Sequence, residues 1–208
     1  TDGEILNVKT QKEPHKVVDC NSLIPGFINS HCHLELSNLS GKLAPKQSFP
    51  TWVNNLRKNI SAWKSKDFLI STKNGIEQAG RSGTTTLVDV GNSTSTRQIK
   101  SPIRLYALHE VLGMDPNLAS ERIHNAKREL SSPKENVLQG FSCHAPYSNS
   151  IPLINRVLDE NSSIGCPTYI HVAESPEEKE FFQKHSGQLW AFTEYIYCLL
   201  YTSDAADD

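Results

Sequence analysis

Apolar positions along the chain alternate between a strand-like and a helix-like spacing. Runs rich in β-branched and apolar residues predict strands, and apolar residues three or four positions apart predict helices. The predicted strands cover residues 27–36, 84–90, 103–111, 137–143 and 168–172. The predicted helices cover residues 52–63, 67–79, 117–130, 151–159 and a segment that begins near Pro176. This alternation predicts an α/β fold built on a parallel sheet or an α/β barrel.

Composition excludes several other classes of protein. The 208 residues are 37% hydrophobic and 21% charged, with a net charge of −2, which predicts a soluble globular chain and not a disordered one. No stretch approaches the length of apolar sequence that spans a membrane. Because the chain has no basic excess or stripe of Lys and Arg, we expect no binding to nucleic acid.

Cysteine usage predicts a reducing compartment. The five cysteines are widely spaced and form no CxxC pair, so neither a disulfide framework nor a zinc ribbon is expected, and a cytoplasmic location is favoured. The only methionine is Met114 and the chain opens at Thr1, so we expect the natural start to be missing.

The sharpest local feature is a pair of histidines at the end of the first strand after Pro25. His31 and His33 are two residues apart, so their side chains share one face of the strand while Cys32 points to the other. Two neutral imidazoles on one face suit Zn²⁺, Fe²⁺ or a similar ion. The alternative is an ordinary surface strand, but a strand's carboxyl end is where α/β barrels place their chemistry.

Two further strand ends carry histidines. His171 lies near the end of the run TYIHV, and Glu174 follows three residues later, where its carboxylate could sit close enough to move protons to and from a metal-activated water. The alternative is a buried histidine beside a helix-capping glutamate. His144 follows the strand at 137–143, where it could ligate metal, contact a substrate or pack in the loop.

Two motifs of other metalloenzymes are matched only in part. His109 and Glu110 resemble the start of HExxH, but position 113 is Gly. His33 and Glu35 match the HxE of cytidine-type deaminases, but the PCxxC that must accompany it is absent.

Four segments together resemble the amidohydrolase superfamily: PGFINSHCHLELS, GTTTLVDVGN, HAPYS and IHVAESPEE. They are most similar to its branch of deaminases and chlorohydrolases acting on purine, pyrimidine and triazine-type rings, and within it to deaminases of adenosine-type nucleosides and aminofutalosine. The resemblance implies a (β/α)₈ TIM barrel with a small β-sandwich built from both chain ends. Residues 1–24 are then a sandwich remnant and residues 25–197 an incomplete barrel of about five βα units.

The resemblance also implies roles for individual residues. His31, His33 and His171 match the family's metal ligands, Glu174 the glutamate that shuttles protons, and His144 a substrate contact. The strand VLQGFSC has no lysine that could be carbamylated, which implies one divalent ion, with zinc expected first and iron or manganese as alternatives.

The implied function is a metal-dependent hydrolase acting on non-peptide C–N bonds. Its expected partner is a small heterocyclic substrate, and its expected reaction is deamination of a purine- or nucleoside-like compound. A chlorohydrolase, a cyclic amidohydrolase and an inactive truncated chain are the alternatives. A homo-oligomer stays an open alternative to a monomer.

Two parts of the family pattern are not matched. A histidine after strand six and an aspartate after strand eight have no counterpart beyond residue 174, so we expect negligible turnover from these 208 residues alone. From Cys198 the chain reads CLLYTSDAADD, which we interpret as a non-native tail over residues 198–208; a genuine acidic C-terminus is the alternative.

Overall fold

Four parallel strands, paired in sequence order, form the sheet. The computed structural model describes residue 22, residues 24–130 and residues 137–204, with side chains described as far as residue 196. The strands are β1 (Phe27–Cys32), β2 (Thr84–Gly91), β3 (Arg104–Val111) and β4 (Val137–Cys143). Each pairs in parallel with the next, and this confirms the expected α/β class.

Helices follow the strands, as the spacing of apolar residues predicts. Three of them begin with proline in the first turn, where its missing N–H costs nothing. The helices are α1 (Phe49–Ile60), α2 (Ser65–Arg81), α3 (Ala119–Glu129), α4 (Ile151–Ser163), α5 (Pro176–Lys184) and α6 (Gln188–Asp204). Short 3₁₀ helices cover Leu34–Leu39, Thr96–Gln98 and Pro116–Leu118. None of the helices in the described ranges is long and apolar enough to cross a membrane.

Alternate strand residues pack on opposite faces of the sheet. Leu87 and Leu105 pack on the helix-covered face with Ile76 of α2. Val88 of β2 is one position beyond Leu87, and Leu108 of β3 is three positions beyond Leu105. These two residues belong to a separate cluster on the other face. Both faces of the central strands are therefore apolar, as expected for a parallel sheet.

The predicted fifth strand is present only as an extended segment at residues 168–172. Tyr169 accepts a hydrogen bond from the Cys143 N–H (2.9 Å), but the His171 N–H bonds to the carbonyl of His144 (2.8 Å) and not to that of Cys143. This slip of one residue breaks the regular ladder, and the expectation of a regular strand here was wrong. The buried Asn161 of α4 holds the segment instead, because its amide Nδ2 lies 2.9 Å from Thr168 Oγ1 and its Oδ1 accepts from the Phe141 N–H.

Several predictions concern the chain ends. The runs ILNVK at 5–9 and KVVDC at 16–20 predict short strands. These two runs, and all of the 1–24 unit except residues 22 and 24, lie outside the described residues. Helix α6 continues through residue 204, so the backbone of the suspected tail is helical as far as it is described. Its origin stays a prediction.

Gly140 of β4 offers a test of the inner packing. A Cβ there would overlap Cys166 Sγ and lie 3.2 Å from Leu108 Cδ2. We predict that Gly140→Ala destabilises the chain by about 1–3 kcal/mol through overpacking. The matched control is Gly80→Ala in α2, where a Cβ meets nothing within 4 Å and a gain of about 0.5–1 kcal/mol is expected. Urea unfolding of both variants measures the difference; equal stabilities would contradict this packing.

Candidate active site

The histidines singled out in the sequence lie at the carboxyl edge of the sheet. His31 lies near the end of β1 and His33 comes directly after that strand. His144 follows β4, and its N–H donates to the carbonyl of Val111 at the end of β3 (3.2 Å). His171 lies in the extended segment beside β4. Because parallel strands end at the same edge, residues far apart in the chain meet there.

Three imidazole nitrogens converge at this edge. His31 Nε2 lies 3.3 Å from His33 Nε2 and 3.0 Å from His171 Nε2. Two nitrogens bound to one tetrahedral zinc ion at 2.0–2.1 Å are separated by about 3.3 Å. The spacing of the three nitrogens therefore fits a tetrahedral metal with a fourth position left for another ligand.

The hydrogen bond on the far side of the His171 ring makes its Nε2 a ligand atom. His171 Nδ1 lies 2.8 Å from the carbonyl oxygen of His144, which can only accept, so Nδ1 carries the hydrogen. In the neutral ring the lone pair is then on Nε2, which faces His31. A histidine that binds metal through one nitrogen and donates to a carbonyl through the other is the usual arrangement.

Desolvation favours the neutral form of the two neighbouring imidazoles. Desolvation, followed by the charges of His31 and His171, lowers the pKa of His33 to about 4. Desolvation and then His171 also lower the pKa of His31. Neutral imidazole is the form that binds metal, so the electrostatics of the site suit a cation.

Glu174 is held by a tyrosine and does not cap a helix. The Tyr147 hydroxyl donates to Glu174 Oε1 at 2.5 Å, and burial, followed by this bond, raises the pKa of Tyr147, so the phenol stays a donor. The cap of α5 is Ser175, whose Oγ accepts from the N–H of Glu178. Ala173 has a φ of 58°, a left-handed conformation that turns the chain between His171 and Glu174.

His144 faces the same space with its position fixed. Its Nδ1 lies 2.7 Å from Ser148 Oγ, and its ring centroid is 5.5 Å from that of His171. Desolvation lowers the pKa of His144 to about 4, so this ring is also neutral.

Glu110 is a site residue that the sequence reasoning missed. One ligand atom from each of Glu110, His144 and His171 lies within 4.8 Å of the others. The Glu110 side chain is 7% exposed, and among the described residues nothing hydrogen-bonds its Oε1. Burial raises the pKa of Glu110 to about 7. The sequence contained one signal for this residue. Side chains alternate along β3, so Glu110 lies on the same face as Leu108 near the end of the strand.

The remaining histidines of the described ranges stay apart from the site. His109 and His124 lie on β3 and α3, and His185 ends α5; none of them joins either group of converging ligand atoms. His15 lies outside the described residues.

Comparison with known proteins identifies the family. Residues 22–191 match the amidohydrolase family, and the chain belongs to it. Members of this family are metal-dependent hydrolases. This confirms the resemblance noted in the four sequence segments.

Individual relatives are deaminases. The chain is 28% identical over 195 residues to an aminodeoxyfutalosine deaminase of a Nitratiruptor species, covering 88% of this chain and 47% of that protein. It matches the structure of Helicobacter pylori aminofutalosine deaminase in complex with methylthio-coformycin with a TM-score of 0.65 and 23% identity, over 79% of this chain and 41% of that one.

A zinc-containing structure is also similar in fold. An adenosine deaminase from Xanthomonas campestris with bound zinc matches with a TM-score of 0.60 and 17% identity, over 82% of this chain and 41% of that chain. These matches confirm the partial-barrel fold, and the chain spans less than half the length of the relatives it matches.

We predict that the 208-residue chain binds one Zn²⁺ through its three converging histidines. His31→Ala removes the nitrogen that lies between the other two, so zinc affinity should fall at least about tenfold. Titration against a chromophoric chelator gives the affinity and stoichiometry. The control is His124→Ala, an exposed histidine on α3, which should bind like the wild type. Equal loss in both variants would contradict the assignment.

Proposed function

We propose that this chain carries the metal-binding part of a zinc-dependent hydrolase that removes the amino group from an adenosine-like nucleoside. The observation that carries the proposal is the convergence of His31, His33 and His171 nitrogens beside a carboxylate, Glu174, that a tyrosine hydroxyl orients. Three imidazole nitrogens with an open fourth position, next to a carboxylate, suit hydrolysis by an activated water.

The substrate class rests on the relatives. The Nitratiruptor protein is an aminodeoxyfutalosine deaminase and the Helicobacter pylori structure holds methylthio-coformycin. Because the chain covers less than half of either, the activity is proposed for a protein that contains the whole barrel.

The three histidines would hold the metal. When bound, zinc supplies Lewis acidity that activates water at neutral pH. Glu174 would move a proton from water to the departing amine, and the carbon that loses the amine would take the hydroxyl. Tyr147 donates to one oxygen of Glu174 and leaves the other oxygen for this transfer.

His144 orients the substrate ring. Its Nδ1 is engaged by Ser148 Oγ, and one of its ring nitrogens lies within 4.8 Å of ligand atoms of Glu110 and His171. A neutral imidazole there contacts a polar group of a flat heterocycle without adding charge. Glu110 provides an acceptor on the same wall of the site.

Zinc is the proposed metal, with iron or manganese as the alternatives, because a three-histidine set accepts all three ions. We also propose a cytoplasmic location, supported by the free thiols of Cys32, Cys143 and Cys166.

The test is ammonia release by the zinc-loaded protein that spans the full length of its relatives. Adenosine and 5-methylthioadenosine are the substrates, with a chlorinated triazine assayed for chloride. We predict release of ammonia alone. Glu174→Gln should keep its zinc and lose about 10²–10⁴-fold in kcat, because the proton carrier is removed.

The matched control is Glu180→Gln on α5, which removes only a surface ion pair with Lys184 at 3.6 Å. It should keep full activity. Chloride release without ammonia would replace the deaminase assignment with a chlorohydrolase, and loss of zinc from Glu174→Gln would contradict the proton-carrier role.

A further inference from the structure

β1 contains a bulge at the point where its histidines lie. From Asn29 to Cys32 the chain advances three residues, whereas the paired residues of β2, Leu87 and Asp89, are only two apart. The His31 N–H bonds to the side chain of Asn29 (3.2 Å). Bulges turn a strand and re-aim its side chains. The regular ladder therefore does not fix the direction of His31 and His33.

A buried carboxylate on β2 holds the chain immediately after these histidines. Asp89 is 3% exposed, and its Oδ1 accepts the backbone N–H of Leu34 at 2.7 Å. Its other oxygen accepts the hydroxyl of Thr96. Since Leu34 follows His33 directly, this bond fixes the peptide that carries the second imidazole.

A second buried carboxylate makes the reciprocal connection. Glu35 is 6% exposed; its Oε1 accepts the N–H of Asn92 at 3.0 Å, and its Oε2 accepts the N–H of Ser93 at 2.7 Å. The β1 loop thus bonds to the β2 loop through Glu35, and the β2 strand bonds to the β1 loop through Asp89. We call Glu35 and Asp89 the carboxylate clasp.

Two neighbouring residues, Gly91 and Arg97, lie close to the carboxylates of the clasp. A Cβ on Gly91 would lie 3.2 Å from the Glu35 carboxylate, so glycine leaves the room that the bond to Asn92 needs. The buried guanidinium of Arg97 interacts with the charges of both Asp89 and Glu35. Glu35 accepts the N–H groups of two consecutive residues, which suits a connection that must hold a loop in one position.

We propose that Glu35 and Asp89 are positioning residues of the metal centre. The carboxylate clasp holds the bulged end of β1 against β2, so that His31 and His33 present their nitrogens at the spacing a metal requires. This inference rests on the proposed function, because it assumes that the three histidines bind a metal. Neither residue touches the metal; both act through the backbone next to its ligands.

Two conservative variants distinguish positioning from general stability. Glu35→Gln leaves one acceptor for two N–H groups, so one bond to Asn92 or Ser93 is replaced by a clash between donors. Asp89→Asn keeps its acceptor for Leu34, and the Thr96 hydroxyl can turn to accept the new amide. We expect Glu35→Gln to weaken metal binding about 10–100-fold. Asp89→Ala removes both acceptors and should also weaken metal binding about 10–100-fold, whereas Asp89→Asn should restore most of the affinity; unchanged affinity in Asp89→Ala overturns the role of Asp89.

The experiment is a Co²⁺ titration of the 208-residue chain, followed by visible absorption, with Zn²⁺ affinity from competition. The absorption spectrum reports ligand geometry, which a purely structural role would not change. Urea unfolding of the metal-free variants runs beside it. The control is Val157→Ala, which removes buried atoms from α4 within a different core cluster and should lower stability while leaving the spectrum unchanged.

Each outcome decides a different point. Failure of the wild-type chain to bind either metal overturns the proposed function and the clasp's role with it. Binding by the wild type with unchanged affinity and spectrum in Glu35→Gln overturns the clasp alone. Equal weakening in Val157→Ala and Glu35→Gln also overturns it, because affinity would then follow stability.

If Glu35→Gln does not fold, the metal affinity of Gly91→Ala tests the proposal. The added Cβ displaces the Glu35 carboxylate by a few tenths of an ångström but leaves the carboxylate in place. Wild-type affinity in that variant overturns the proposal.

Discussion

Parallel pairing of consecutive strands is the constraint on which the site depends. Each strand of a parallel sheet ends at the same edge, so His31 in β1, Glu110 in β3 and His144 after β4 are brought together although they are distant in sequence. The apolar clusters on both faces of β2 and β3 hold this edge in place. The converging imidazoles are thus a consequence of burying apolar side chains, and the polar edge depends on that core for its geometry.

Burial of polar groups at this edge has to be compensated, and the chain does so with backbone donors and acceptors. His171 donates to the His144 carbonyl, and Asn161 satisfies Phe141 and Thr168 where the ladder to β4 is interrupted. Such bonds fix ring orientation as well as satisfying the buried groups. No described group hydrogen-bonds Glu110 Oε1, and Glu110 lies in the candidate site beside His144 and His171.

Most of the fold could be predicted from the sequence, because the spacing of apolar residues shows which side chains are buried. β1 to β4 and all the predicted helices are present, and His31, His33, His144 and His171 converge as strand ends in a barrel should. It failed where contacts between distant residues decide the outcome. The run at 168–172 has a strand's composition, but a slip at His144 prevents a regular ladder. Glu110 was set aside as part of a failed motif, because its relation to His144 exists only in the folded chain.

The sequence by itself determined the α/β architecture and the family, since alternating apolar spacing and four local segments are properties of consecutive residues. Only the tertiary structure decided how the ligands are aimed. The bulge beside His31, the tautomer of His171 and the orientation of Glu174 by Tyr147 depend on pairings between residues 27 to 140 positions apart. Local composition carries no information on such pairings, because each bond is made only when the sheet brings its two partners to the same edge.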